Sequence, residues 1–284
     1  MWEHRPFLVL ADHLTRRGIA VLRYDDRGTA ASTGKYHGAT VEDFSRDTSA
    51  AVEFLRTHAR IGAARIGLVG HSEGGLVAPI VANLRGDIAF VVLMGATGVD
   101  GKTVLLSQNE AMARAARASE PEIALATTVQ RAVMEIAAQA EPGEDITNEV
   151  MRAADQVIAT IPAPERDVVG EVLRTQLRGQ IARLQGAWMR HFLNYDPTPA
   201  LRRLDVAVLA IWGTRDLQVL PALNRPALER ALAGNPRAAF VELEGLNHMF
   251  QAAATGSLAE YAEIDETINP AALSTITEWL TSLK

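Results

Sequence analysis

The chain has 284 residues, 48% of them hydrophobic, a formal net charge of -6 and no cysteine. That length allows one large α/β domain, or a core carrying a sizeable insertion. Scattered Lys and Arg on a net negative chain argue against nucleic-acid binding, which needs a concentrated positive surface. Without cysteine there is no disulfide, thiol nucleophile or thiolate metal site. The longest apolar runs, Phe90–Met94 and Val206–Trp212, are too short to cross a bilayer. The start, Met1-Trp2-Glu3-His4-Arg5-Pro6, has no basic segment followed by an apolar one. No signal peptide is expected there, and a soluble, cytoplasmic protein is.

Phe7 to Arg17 puts Phe7, Leu8, Leu10, Ala11 and Leu14 on one helical face, and Gly18 ends that helix. Ile19–Tyr24 reads as the first strand. It runs into a polar loop, Asp25-Asp26-Arg27-Gly28, that continues through Ser32, Gly34 and Gly38. Open α/β sheets place ligand contacts in such loops, at the carboxyl ends of their strands. A local ion pair among Asp25, Asp26 and Arg27 is the simpler expectation. Thr40 to His58 predicts an amphipathic helix with Thr40 as N-cap and Val41, Phe44, Ala51, Val52 and Leu55 facing inward.

Arg65 to Leu76 reads R-I-G-L-V-G-H-S-E-G-G-L. Ile66, Leu68 and Val69 suit a buried strand, and Leu76, Val77, Ile80 and Val81 recur at helical spacing. Between them Gly70-His71-Ser72-Glu73-Gly74 matches G-x-S-x-G, whose mechanics need this strand–turn–helix context. Gly70 and Gly74 are expected to admit close packing that a side chain would block. The turn lifts the Ser72 hydroxyl above the sheet, and the backbone N–H of Glu73 can stabilise negative charge developing on a substrate oxygen. His71 either braces the turn or borders the site as a substrate contact. Ile88–Met94 is a further apolar strand of the kind buried on both faces.

From Gly98 to Pro199 no strand is expected. Three or four helices are, broken at Pro121, Pro142-Gly143 and Pro162-Ala163-Pro164. One apolar stripe holds Leu125, Val129, Val133, Met134 and Ile136; a second holds Leu173, Leu177, Ile181, Leu184, Trp188 and Phe192. These stripes pack a helical insertion that can also serve as a lid. The expected organisation is a sheet core of residues 1–98 and 200–284 with a helical cap of residues 99–199. Trp188, Met189 and Phe192 are candidates for lining a pocket, beside their simpler role in core packing.

Strand character returns at Val206–Trp212, followed by Gly213-Thr214-Arg215-Asp216-Leu217-Gln218-Val219. A helix through Leu228 and Leu232, a strand at Ala238–Leu243 and the loop Glu244-Gly245-Leu246-Asn247-His248 come next. Pro270–Leu283 closes the chain as an amphipathic helix. Alternating strands and helices predict a mostly parallel sheet with right-handed crossovers. Ser72, Asp216 and His248 each follow a strand, so one sheet edge gathers them. A serine hydroxyl needs a base, an imidazole near neutrality supplies one, and a carboxylate holds its tautomer. His4, His13, His37, His58 and His191 show no metal-ligand spacing.

R-Y-D-D-R-G at Arg23–Gly28, G-H-S-E-G-G at Gly70–Gly75, G-T-R-D-L-Q-V at Gly213–Val219 and G-L-N-H at Gly245–His248 together resemble the α/β-hydrolase superfamily. The resemblance is to bacterial serine esterases and acyl hydrolases, a group related to prolyl-oligopeptidase-type peptidases. It implies a carboxylic-ester hydrolase working through an acyl-enzyme on small or medium acyl chains. It also implies Ser72 as nucleophile, Asp216 as acid, His248 as base, the Glu73 amide as one oxyanion donor, and no metal or organic cofactor. The partner implied is a small-molecule ester, with homo-oligomer formation left open. A peptidase or thioesterase would share the same three residues.

Two departures from the family stand out. Arg-Gly-x-Gly-x-Ser becomes Arg27-Gly28-Thr29-Ala30-Ala31-Ser32, with Ala30 in place of a glycine. The usual N-terminal strands, one of which supplies the second oxyanion N–H, have no counterpart in residues 1–18. That expectation leaves a longer parent chain, another segment or subunit filling the gap, or an impaired hydrolase-like binding protein.

Overall fold

Four apolar runs pair side by side as a parallel sheet in a computed structural model that describes residues 4–61, 65–141 and 143–283. The first three residues of the chain and the expected helix break at Pro142 lie outside the described residues. In chain order the elements are α1 (Pro6–Thr15), α2 (Val41–Thr57), β1 (Leu68–His71), α3 (Gly74–Arg85), β2 (Phe90–Met94), α4 (Gly101–Ala115), α5 (Glu120–Gln139) and α6 (Thr147–Ile158). There follow α7 (Ala163–Leu184), α8 (Ala187–Asn194), α9 (Thr198–Arg202), β3 (Ala207–Gly213), α10 (Pro221–Ala231), β4 (Ala238–Leu243) and α11 (Pro270–Ser282). The chain divides into two units, one of Met1–Tyr36, Val41–Val99 and Pro197–Lys284 and one of His37–Thr40 and Asp100–Asp196.

The first unit holds the sheet, in the order β1-β2-β3-β4 with every neighbouring pair parallel. Leu68 lies opposite Val91, Phe90 opposite Ala207 and Val208 opposite Ala238. Successive side chains in a strand point to opposite faces. Val92, Met94, Leu209 and Ile211 therefore share a face, and they pack with Leu10 and Leu14 of α1 and Leu273, Ile276 and Leu280 of α11. The alternate residues Val91, Leu93, Val208 and Ala210 are equally buried, on the face where α3 lies against β1 and β2. Burial on both faces explains why these strands read as unbroken apolar runs. Truncating one such residue, Leu209 for example, costs about 2–5 kcal/mol.

Three expectations change here. Ile19–Tyr24 forms no strand, and Val21 and Tyr24 are exposed. A strand exists only beside a neighbour that takes its N–H and C=O groups; among the described residues none pairs with this segment. β1 is accordingly the edge of the sheet, with Val69 40% exposed. On α1 the buried stripe is Pro6, Leu10, Ala11 and Leu14, leaving Phe7 and Leu8 exposed. Arg27 does not pair with Asp25 or Asp26. It reaches α2, where its guanidinium takes both oxygens of Asp47 at 2.7 Å and lies 3.2 Å from Asp43.

The second unit contains five helices among the described residues, where three or four were expected. The long stripe from Leu173 to Phe192 is two helices, because the chain turns at Gln185–Gly186 before α8 begins. Val133, Val150, Ile158, Leu177, Leu184 and Leu193 lie in one core. Ser119 caps α5, and Glu122 reaches back to the Ser119 backbone in a reciprocal capping box.

Ala30 sits at φ 47°, in the left-handed region. A side chain there costs about 1–2 kcal/mol, whereas glycine adopts it freely and gives back part of that gain through a more flexible unfolded chain. Ala30→Gly is expected to stabilise the protein by roughly 0.5–1 kcal/mol, raising the thermal midpoint by a few degrees in calorimetry. A lowered midpoint contradicts this.

Candidate active site

β1 ends at His71, the chain turns through Ser72 and Glu73, and α3 starts at Gly74. Ser72 has φ 54°, a strained value for an L-residue. Its N–H donates to the Met94 carbonyl at 2.9 Å, tying the turn to the end of β2. A Cβ on Gly70 would stand 2.1 Å from the Gly74 carbonyl oxygen, so the tightness expected there is real. The same expectation for Gly74 is corrected: its added Cβ meets nothing within 4 Å, because it points into open space. The second close approach belongs to Gly75, whose Cβ would meet that of Ala96 at 2.4 Å. Glu73 is the N-cap of α3, at the positive end of the helix dipole.

Asp216 and His248 meet across the loops that follow β3 and β4. His248 Nδ1–H donates to Asp216 Oδ2 at 2.7 Å, with the two residues only 4% and 1% exposed. The other carboxylate oxygen accepts backbone N–H groups from Gln218 and Val219, each at 2.8 Å. Asp216 is thus a turn cap and a histidine partner together. A carboxylate facing Nδ1 fixes the proton on that nitrogen and leaves Nε2 as the acceptor. The His248 loop is held from within by Asn247, whose side-chain Oδ1 accepts from Met249 N at 2.9 Å and Gln251 N at 3.0 Å. Gly95, at φ 56°, lies so close that an added Cβ would stand 3.1 Å from His248 Nδ1.

His71 is half-buried and faces the same loop. Its Nε2–H donates to the His248 carbonyl at 2.8 Å, and the two rings lie 4.6 Å apart between centroids. Burial first, then the neighbouring His248, push the His71 pKa down to about 4, so the ring is neutral near pH 7. Tyr261, also buried, accepts from Gln218 Nε2 at 3.2 Å, and burial raises its phenol to about 12. Among the described residues no hydrogen bond joins the Ser72 hydroxyl to His248; the hydrogen bond of the His248 ring is the one to Asp216.

Ser72, Asp216 and His248 therefore all follow carboxyl ends of strands in one parallel sheet. Trp188, Met189 and Phe192 belong to the second unit: Met189 is 4% exposed in its core, and Trp188 stacks on Phe192 at 5.1 Å. Sequence reasoning missed Gly95, Tyr261 and the contact of His71 with the His248 backbone. Only Gly95 carried a usable signal, a glycine directly after a buried strand. The second unit has a cleft of about 410 Å³ lined by Thr40, Ala187, Arg190, His191, Asn194, Tyr195 and Asp196. Among the described residues no three His, Asp or Glu side chains are grouped to hold a metal ion, and no helix is long and apolar enough to cross a membrane.

Residues 1–260 match the alpha/beta hydrolase family, and the chain belongs to that family. Membership places it among hydrolases. Its fold is similar to a monoacylglycerol lipase from Paleococcus ferrophilus, with 19% identity over 100% of this chain and 92% of that one, at a TM-score of 0.56. It is also similar to Est1E from Butyrivibrio proteoclasticus, solved with ferulic acid bound (16% identity, 99% and 84% covered, TM-score 0.54). A bromoperoxidase from Bacillus anthracis is a third such structure (19% identity, 100% and 88% covered, TM-score 0.52). A search of curated proteins returned no match.

The low His71 pKa has a consequence for stability. Between its ordinary value of 6.5 and about 4, the unfolded chain binds a proton that the folded chain excludes. This contribution is full above pH 6.5 and is lost as pH falls through that window. A loss of roughly 2–3 kcal/mol is expected, read by urea denaturation at pH 7 and pH 4. His71→Gln should show a shallower decline, and identical declines in the two proteins contradict the assignment.

Proposed function

We propose that the protein is a serine hydrolase that cleaves carboxylic esters of small or medium acyl chains through an acyl-enzyme on Ser72. The observation that carries this reading is the buried 2.7 Å bond from His248 to Asp216, in a sheet whose preceding strand ends in the left-handed Ser72 turn. His248 Nε2 takes the Ser72 hydroxyl proton while Oγ attacks the ester carbonyl carbon. The negative charge passes to the carbonyl oxygen, which the Glu73 N–H at the start of α3 stabilises; one such donor contributes about 10²–10³-fold. Collapse expels the alcohol, which takes the proton from His248. Water then repeats the sequence on the acyl-enzyme and releases the carboxylic acid.

Asp216 keeps the acceptor nitrogen of His248 free and stabilises the imidazolium in both halves. Hydrogen bonds between nucleophile and base are commonly long before substrate is bound, so the reading has the Ser72 side chain turn toward His248 in the Michaelis complex. An amide or thioester would meet the same chemistry at Ser72.

Initial rates on aryl esters from acetyl to dodecanoyl, with an anilide of matched acyl group, test the reading. Ester turnover is expected to fall off at the longer chains and to exceed that of the anilide. Ser72→Ala should reduce it to background, and Asp216→Asn by about 10⁴-fold. Ester hydrolysis that survives in Ser72→Ala contradicts the proposal.

A further inference from the structure

We propose that His71 is a positioning residue for His248, clamping the backbone of the base-bearing loop onto the serine turn. The inference rests on the reading of Ser72 and His248 as nucleophile and base, and goes beyond it by assigning how the two are held in register.

His71 is the residue before Ser72, and its Nε2–H reaches 177 positions along the chain to donate to the His248 carbonyl at 2.8 Å. One hydrogen bond therefore joins the immediate neighbour of the nucleophile to the base residue itself. Further restraints on His248 come from its own side of the sheet: Asp216 holds the ring, Asn247 folds the loop internally, and Tyr261 hydrogen-bonds the His248 backbone. His71 is the restraint that comes from β1. Its ring is in turn walled by Phe7, edge-on at 6.0 Å, and by Phe250 at 6.2 Å, which limits how it can swing.

Residue chemistry at position 71 follows from this geometry. An aliphatic or phenyl side chain would leave the His248 carbonyl facing apolar atoms, at the cost of an unmade hydrogen bond. A lysine or arginine would donate the bond but would set a permanent positive charge beside a ring that must itself become positive during turnover. A neutral imidazole donates without that charge, and the burial that holds its pKa near 4 keeps it neutral at working pH. Because an error of about 1 Å in the placement of a reacting group can cost 10²-fold in rate, a clamp between these two loops acts on turnover more than on substrate binding.

Two variants separate donation from packing. His71→Phe keeps a ring and removes the donor; His71→Gln keeps a donor close to the place of Nε2. In His71→Phe, kcat is expected to fall by about tenfold or more with KM within about twofold, while His71→Gln stays within about threefold of wild type. The downfield Nδ1–H proton resonance of His248, sharp in wild type and His71→Gln, is expected to shift or broaden in His71→Phe. Should His71→Phe not fold, His71→Asn replaces it, since its side chain is too short to reach the carbonyl.

Equal turnover in all variants, equal losses in both, or a loss carried by KM alone overturns the proposal, the last by making His71 a substrate contact. If wild type hydrolyses no ester, the functional reading fails by itself. The resonance then decides the role of His71 alone: a shift in the donor-free variant supports it, and an unchanged signal overturns it.

Discussion

A proton held between two buried side chains, His248 Nδ1 and Asp216 Oδ2, is the interaction on which the candidate site depends. Removing either partner would leave a buried polar atom of the other, Asp216 Oδ2 or His248 Nδ1, without its hydrogen bond, at the cost of lost solvation. Their meeting is a consequence of parallel pairing. β3 and β4 run side by side in the same direction, so the loops that leave them start at the same edge and need only a few residues to touch. The same rule carries the end of β1, and Ser72 with it, to that edge two strands away.

Around this bond the structure accepts local strain and close approach. Ser72 and Phe250 both hold left-handed backbone, at φ 54° and 59°, one in each of the loops that face each other. Gly95, at the end of β2, leaves room for the His248 ring that any Cβ would narrow. Each departure is tied down by hydrogen bonds: Ser72 N to the Met94 carbonyl, Phe250 N to the Asn247 carbonyl, and Asn269 N to the Phe250 carbonyl. Strain of this kind persists where its surroundings over-determine it.

Much of this was legible in the residue order, and the reasons are physical. Strands buried on both faces must be apolar throughout, so Phe90–Met94 and Val206–Trp212 announced themselves. Gly70-His71-Ser72 and the Asp216 and His248 loops each follow a strand, although of these only β3 is buried along its whole length. Ile19–Tyr24 begins with a similar apolar run and yet is no strand, since an apolar run does not supply the neighbour that a ladder needs. Gly74 and Gly75 are adjacent letters, and only the direction of each Cα–Cβ vector tells which one is tight. The bond from His71 to the His248 backbone spans 177 positions and leaves no periodic trace. Trp188, Met189 and Phe192 illustrate the converse, since an apolar stripe reads alike whether it fills a core or lines a pocket.

Peptide mass mapping after treatment with a serine-directed phosphonate bears most directly on the central claim, that His248 and Asp216 make the Ser72 hydroxyl nucleophilic. A single covalent adduct on the peptide carrying Ser72 is expected, forming far more slowly when Asp216 is replaced by Asn. No adduct, or one on a different serine, would contradict it.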